Sequence, residues 1–481
     1  MIDAPPLQTE EGLHRRLAAR QLTMMAMGSA IGIGLFLGST VTIRLAGPAV
    51  IVTYAIGALV ALVMAYALAE MSVVHPLAGS FGVFAERYLS AWSGFAVRAT
   101  YAFIQILAIG AEVTAVAIYF GFWFPHVPQW LWVGAMSAAL VAINTAQVRW
   151  FGEFEYWFAL IKVVAIVAFI AVGGALVSGF GGFPAVGFSN LVSGPGGFLP
   201  HGWRGVWLAL TIVITSYMGI EVVAVTAGEA ERPEVTIPRA MRTMVLRLIV
   251  FYVAAVTVML MMTPWDRLAD AGTGLTGSPF VRAFSAVGIP YAASVMNLVV
   301  ISAALSSANS NLYLSTRMLL SLARSGYAPA ALGAVTDGGV PLRAVGVASA
   351  GMMTAMLLAV FAPSTAFLAL YGTAVAGMLF IWILVLLTHR RFRLALTPAQ
   401  VARLPIRLRM PRVATAFGLA MLVAILVTTF FVDGLQYTVI SFLPFLGIMS
   451  IVYARNRGDR GRPSPDFEHT HAARPSAVSR D

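Results

Sequence analysis

The sequence has no cysteine, a single lysine and few charges of either sign. The missing cysteine excludes disulfides, thiolate nucleophiles and thiolate metal sites. Only 11% of residues are Asp, Glu, Lys or Arg, where a soluble domain carries about 25%. With 59% hydrophobic residues and a mean hydropathy of +0.85, the chain reads as an all-α polytopic membrane protein. The seven histidines are His14, His75, His126, His201, His389, His469 and His471. All lie outside the apolar runs, and none cluster at metal-ligand spacing. Neither a metal, another cofactor nor an enzyme activity is expected. The net charge of +11 does not point to nucleic acid, because the basic residues sit in short loops between apolar runs.

What is present is a series of those runs. Twelve have the roughly 20 residues that a spanning helix needs: 22–45, 48–74, 93–122, 129–147, 154–178, 206–228, 240–263, 287–322, 341–361, 364–388, 412–432 and 435–454. The run at 287–322 is too long for a straight crossing and is expected to tilt or to continue into the cytoplasm past Arg317. Residues 1–21 are polar and carry no apolar signal core, so the first span itself would direct insertion. With the N-terminus inside, 25 of the basic residues fall in inner loops and tails, and four (Arg44, Arg204, Arg267, Arg282) fall outside. That asymmetry places both termini in the cytoplasm. The chain then divides into an N-terminal tail (1–21), five spans (22–178), a Gly/Pro-rich outer loop (179–205), five more spans (206–388), a final pair with its preceding inner loop (389–454) and a disordered tail (455–481).

Two spans carry the same defect. The first holds Gly28-Ser-Ala-Ile-Gly-Ile-Gly34 at its centre, and each glycine costs a helix about 1 kcal/mol relative to alanine. In hydrocarbon a broken helix also strands N–H and C=O groups that no water can satisfy. The break is tolerated where a ligand supplies the partners: carbonyls closing one half-helix face a cation, and N–H groups opening the next face an anion. An amino acid carries both charges on one carbon. The sixth span is interrupted in the same way by Thr215-Ser-Tyr-Met-Gly-Ile-Glu221. Interrupted spans at matching positions of two halves point to a transporter site near the midplane. The substrate-binding residues expected from these breaks are Ser29, Ala30, Ile31, Gly32 and Gly34 from the first, and Thr215, Ser216, Tyr217, Gly219 and Ile220 from the sixth. Tyr217 is expected as an aromatic lid over the substrate side chain.

Several further motifs accompany the breaks: Gly28 through Leu-Phe-Leu-Gly38, Ala46-Gly-Pro48, Ala69-Glu-Met71, Pro76-Leu-Ala-Gly-Ser-Phe81, Phe151-Gly-Glu-Phe-Glu-Tyr-Trp-Phe-Ala-Leu-Ile-Lys162, Gly219-Ile-Glu221, Ala227-Gly-Glu-Ala230, Pro238-Arg-Ala240 and Ser315-Thr-Arg-Met-Leu319. Together they resemble the bacterial amino acid transporter family of the amino acid–polyamine–organocation superfamily, over nearly the whole chain. The resemblance implies the leucine-transporter fold, with two inverted five-helix repeats plus two helices, and proton-driven amino acid uptake across the bacterial cytoplasmic membrane. One run departs from the family pattern. Relatives usually read Gly-Trp-Asn-Tyr-Trp early in the third span, where this chain has Arg98-Ala-Thr-Tyr-Ala102. Arg98 is expected to snorkel to the inner surface.

The charged residues within the spans suggest coupling. Lys162 is the only lysine among 31 basic residues, about eight residues or ~12 Å into the fifth span. A desolvated lysine can release its proton, which arginine cannot do in a protein. By resemblance, Lys162 occupies the position where sodium-driven relatives hold a sodium ion. Glu112 shares a face of the third span with Tyr101, Gln105 and Ala108, and Glu221 follows the sixth-span break. Both are expected in coupling or in bracing the site. Glu153 and Glu155 are expected to serve the start of the fifth helix electrostatically. Ser302, Ser306 and Asn309 form a supporting polar face on the eighth span, extended by Ser310 and Tyr313 and turned toward Lys162 and the first break. The reading is proton symport of neutral L-amino acids (aromatic, aliphatic or proline) by alternating access. An exchanger without proton coupling and a non-transporting sensor stand as alternatives. The sequence selects no single substrate and no oligomeric state.

Overall fold

The computed structural model describes residues 24, 31–36, 38–76, 79–145, 148–180, 185–225, 227, 233–269, 279–281, 283, 291–336, 339–362, 366–432, 435 and 438–455. The described residues are helices and their connections, with no strand among them. In chain order the helices used below are α1 (Ile33–Phe36), α2 (Gly38–Ala46), α3 (Val50–Val74), α4 (Ser80–Tyr88), α5 (Ala91–Phe120), α6 (Gln129–Thr145), α7 (Val148–Val177), α8 (Gly202–Val213), α9 (Val222–Val225), α10 (Pro233–Met262), α11 (Ala292–Arg324), α12 (Leu342–Phe361), α13 (Ala366–Ala395), α14 (Pro411–Thr428) and α15 (Thr438–Arg455).

Ten stretches among the described residues are long and apolar enough to cross a membrane. The sequence led us to expect twelve. The first and second expected spans meet through a short 3-10 turn, Gly47–Ala49, so Gly38–Val74 forms one apolar stretch. The fourth expected span is only the 17 residues of α6. Helix α11, which holds the long eighth expected span, runs past Arg317 and ends at Arg324. The surfaces of α7, α12, α14 and α15 expose Val164, Val167, Met353, Leu357, Val423, Val427 and Ile448, which is stable only against lipid.

The centre is built on α5 and α11, which pack along one another, with α12 and α13 against α5. Helices attract little through the hydrophobic effect in lipid, so close approach must come from small residues. At Gly351 a β-carbon would lie 1.9 Å from the carbonyl oxygen of Ile106, and at Gly110 it would lie 2.8 Å from the carbonyl oxygen of Gly351. Helices α5 and α12 therefore touch backbone to backbone, and only glycine fits the crossing.

Two polar clusters tie the ends of helices together near the C-terminus of α3 and the N-terminus of α5. Glu70 at the end of α3 is buried and accepts from His389 Nε2 at 2.8 Å and from the backbone N–H of Leu408. His389 was expected in a loop, but α13 continues to Ala395 and buries it. The second cluster corrects the reading of Arg98. Its side chain does not snorkel outward but is fully buried on α5. It pairs with Glu86 of α4, donates to Ser325 Oγ at 2.8 Å and to the Gly94 carbonyl at 3.1 Å, and lies over the Tyr327 ring. The Tyr327 hydroxyl in turn donates to Glu86 at 2.9 Å. A β-carbon on Gly82 would lie 2.2 Å from Arg98 Cγ, so the glycine of α4 makes the room that Arg98 fills.

Removing one partner of a buried pair strands the other. Arg98→Ala is expected to lower unfolding stability by about 3–5 kcal/mol, read as a lower melting temperature in detergent. The Arg98→Ala/Glu86→Ala double variant should recover part of that loss, and strictly additive losses would contradict the pairing.

Candidate functional site

The sixth-span break is local chemistry written in the sequence. Helix α8 ends at Val213, tightens into a 3-10 turn over Ile214–Tyr217, and then opens at Met218 with φ −64° and ψ 145°. Thr215 Oγ1 donates back to the Ile212 carbonyl at 2.6 Å, a bond that competes with the helix ladder. Gly219 takes φ +104°, a region that side chains rarely enter. The chain turns through Glu221 before α9 begins. Glu221 closes the turn by accepting the Gly219 N–H with both carboxylate oxygens at 3.1 Å.

In the first span, Ile31 and Gly32 are bent rather than helical, and α1 starts at Ile33. Ser29 and Ala30 lie outside the described residues. The two breaks meet: a β-carbon on Gly34 would lie 3.1 Å from the Cα of Ser216.

A cavity opens beside this meeting point. Its lining includes Gly32 and Gly34 from the first span and Thr215, Met218, Gly219 and Glu221 from the sixth. Helix α5 contributes Ile104, Gln105, Ala108, Ala111 and Glu112; α11 contributes Ser307 and Asn311; α13 contributes Tyr371, Ala374, Val375 and Met378. The lining is apolar at Ile104, Ala108, Ala111, Ala374, Val375 and Met378, and polar at the two breaks and at Glu112 and Glu221. The space between these atoms, with the open mouth included, is about 650 Å³.

Hydrogen bonds fix the polar end. Ser307 Oγ donates to Glu112 Oε1 at 2.6 Å. A β-carbon on Gly32 would approach these same two atoms, at 2.9 and 3.0 Å. A second chain crosses α5. Gln105 Nε2 donates to Asn311 Oδ1 at 3.2 Å and to the Tyr101 hydroxyl at 3.3 Å, and that hydroxyl lies 3.5 Å from Glu221 Oε1. Thr215 and Tyr371 hydrogen-bond through their hydroxyls.

Several expected residues stand elsewhere. Tyr217 does not cover the cavity. Its hydroxyl donates to the Tyr54 carbonyl at 2.8 Å, and its ring packs with Tyr54 and Tyr252. Ser216 and Ile220 are buried and are not among the residues that line the cavity. Tyr371 lines the cavity, and no spacing in the sequence joins it to Thr215. Lys162 is fully buried on α7, and Glu155 and Glu112 both act on it electrostatically.

The stripe on α11 splits in two. Ser306 and Asn309 face Glu155 of α7, while Ser307 and Asn311 face α5 and the cavity. Among the described residues, Ser302 bonds within its own helix, to the Val299 carbonyl at 2.7 Å. Glu155 is not at the helix start, because α7 begins at Val148. Glu153 has no described side chain.

A family model described as "Amino acid permease" matches residues 21–456. The "Uncharacterized amino acid permease YtnA" of Bacillus subtilis (strain 168) is 38% identical over 449 residues, covering 93% of this chain and 96% of that protein. The "Aromatic amino acid transport protein AroP" of Escherichia coli (strain K12) is 40% identical over 389 residues, covering 81% of this chain and 84% of that protein. The AroP of Shigella flexneri matches over the same spans and at the same identity.

Proposed function

The chain belongs to the amino acid permease family, and from that membership we propose that it imports neutral amino acids with large apolar side chains by proton symport. The observation that carries this reading is the lining of the cavity: residues of two interrupted spans and the carboxylates of Glu112 and Glu221 stand beside six apolar side chains.

At the polar end, N–H groups opening the second half of the first span take the α-carboxylate. Carbonyls at the close of the sixth span's first half, with the carboxylates of Glu112 and Glu221 nearby, take the α-ammonium. The side chain then lies against Ile104, Ala108, Ala111, Ala374, Val375 and Met378. A lysine or glutamate side chain would strand its charge on that wall, which costs several kcal/mol. Three alanines leave room for a ring, and Met218 and Met378 offer sulfur–aromatic contacts worth about 0.3–1.5 kcal/mol. The relatives named for aromatic amino acid transport agree with this ordering.

Symport requires a proton carrier inside the membrane, and Lys162, fully buried on α7, is the candidate. Rocking of one helix bundle against the other opens the cavity alternately to each side. The arginine distribution supports a topology with both termini on the cytoplasmic side.

The test is purified protein in liposomes with an imposed pH gradient, acid outside. Phenylalanine, tryptophan and leucine should accumulate, while lysine and glutamate should neither accumulate nor compete. Ala108→Phe should raise the KM for tryptophan by about tenfold or more, since filling a tight pocket costs roughly 1–3 kcal/mol, and should spare a smaller substrate such as alanine. Accumulation of lysine would overturn the assignment of the wall. Uptake that ignores the pH gradient and needs an internal amino acid would make the protein an exchanger.

A further inference from the structure

We propose that Gln105 and Asn311 form a hydrogen-bonding subsite that reads the ring hydroxyl of a bound tyrosine and so ranks tyrosine above phenylalanine. The inference rests on the amino acid reading of the cavity given above and narrows its substrate.

Counting hydrogens fixes which atoms these two amides turn to the cavity. Glu221 accepts the Gly219 N–H with both carboxylate oxygens, so it acts as an acceptor. The Tyr101 hydroxyl has one hydrogen, and it points at Glu221 Oε1 at 3.5 Å. The Tyr101 oxygen is then an acceptor for its other neighbour, Gln105, whose Nε2 lies at 3.3 Å. The same Nε2 donates to Asn311 Oδ1 at 3.2 Å. Both Gln105 side-chain N–H groups are used, one on each partner. What remains is an acceptor, Gln105 Oε1, and the N–H donors of Asn311 Nδ2. Among the described residues no hydrogen bond reaches either atom, and neither atom is sealed in the protein interior. Both residues are more than nine-tenths buried and both line the cavity, so the cavity is where these atoms point.

A pair that served only to tie α5 to α11 would bond amide to amide in both directions. Tyr101 prevents that by holding Gln105 turned. The spare groups cost free energy unless something in the cavity bonds them. They call for a donor and an acceptor on one small centre. A phenolic hydroxyl is both: it donates to Gln105 Oε1 and accepts from Asn311 Nδ2. Phenylalanine offers neither, and its ring leaves both amides short of a partner.

The spacing suits a tyrosine. Glu112 and Ser307 make one contact between α5 and α11, beside Gly32, where the amino acid headgroup is placed. Gln105 and Asn311 make another. The two contacts are seven residues apart on α5 and four on α11, so about 10 Å and about 6 Å along the helices. That is the reach from an amino acid headgroup to the end of an aromatic side chain. Ala108 stands between Gln105 and Glu112 in the lining and leaves the ring its room.

The test is isothermal titration calorimetry on the purified full chain in detergent. The ligands are L-tyrosine, L-phenylalanine and para-fluoro-L-phenylalanine, whose fluorine fills the hydroxyl position but donates nothing. Tyrosine should bind about tenfold more tightly than either analogue, the size of one or two net hydrogen bonds. Gln105→Met and Asn311→Leu keep similar volume and remove the hydrogen-bonding groups. In each, the ratio of the phenylalanine to the tyrosine dissociation constant should fall from about ten to about two or less. Tyr101→Phe, outside the lining, should lower the ratio as well, because Gln105 is no longer held.

Equal constants for tyrosine and phenylalanine in wild type would overturn the proposal and leave the reading of the cavity standing. That arm needs no variant to fold. Para-fluoro-L-phenylalanine binding as tightly as tyrosine would show ring filling in place of hydrogen bonding, and would overturn it too. So would a tyrosine preference that survives both Gln105→Met and Asn311→Leu. Wild type that binds none of the three amino acids would remove the reading beneath the proposal, and the proposal with it.

Discussion

Lys162→Arg should abolish gradient-driven accumulation. The variant keeps a positive charge at the same depth and fills similar volume, so a lysine serving only as a fixed cation would tolerate it. Arginine does not release its proton in a protein. Locking the charge at this buried position therefore stops the cycle after the first turn. A loss of about a hundredfold in initial accumulation rate is expected, the size typical of removing a general acid–base group. The measurement is uptake into liposomes across a range of external pH. Wild type should show a rate that rises as the exterior is acidified, and Lys162→Arg should show a flat, low line. An arginine variant that accumulates amino acid against its gradient would show that the lysine is not the coupling group.

Gly32→Ala should have an effect of similar size, with a different cause. The added methyl would lie 2.9 Å from Ser307 Oγ and 3.0 Å from Glu112 Oε1. Both are the ends of side chains, so the fold can survive by moving them. Moving them breaks the 2.6 Å Ser307–Glu112 bond and narrows the cavity where the amino acid headgroup sits. A displacement near 1 Å in a positioned site costs about a hundredfold in rate. Substrate-induced thermal stabilisation should vanish, while the melting temperature of the free protein changes little. Retained stabilisation by phenylalanine would separate Gly32 from the binding site.

Much of this was legible in the sequence because it was local. The Thr215-Ser-Tyr-Met-Gly-Ile-Glu221 run contains the hydroxyls that pull on helix carbonyls, the glycine that takes a positive φ and the carboxylate that caps it, all within seven residues. Helical spacing on the third span brought Gln105, Ala108 and Glu112 onto one face, and all three line the cavity. Tertiary neighbours were not legible. Ser306 and Ser307 are adjacent in the chain yet serve different partners, Glu155 and Glu112. A single polar stripe could not reveal that α11 has two. Tyr371 reaches Thr215 across 156 residues, so Tyr217 was preferred by proximity to the break. Glu155 was assigned to a helix start because the apolar run begins near it, whereas the hydrogen-bonded helix starts seven residues earlier. Arg98 looked like a surface residue because its partner Glu86 sits on a short separate helix, α4, whose packing no periodicity encodes.

The central claim is that two membrane helices give up their internal bonds at mid-depth so that an amino acid can use the freed backbone groups. The direct test is a cryo-EM map of the protein in lipid with phenylalanine bound. The account requires the ligand carboxylate against the N–H groups of residues 32–34 and its ammonium against the carbonyls that end the first half of the sixth span. The ring should lie on Ala108, Ala374 and Met378. Helices running unbroken through residues 31–34 and 214–221, or ligand density away from both, would contradict it.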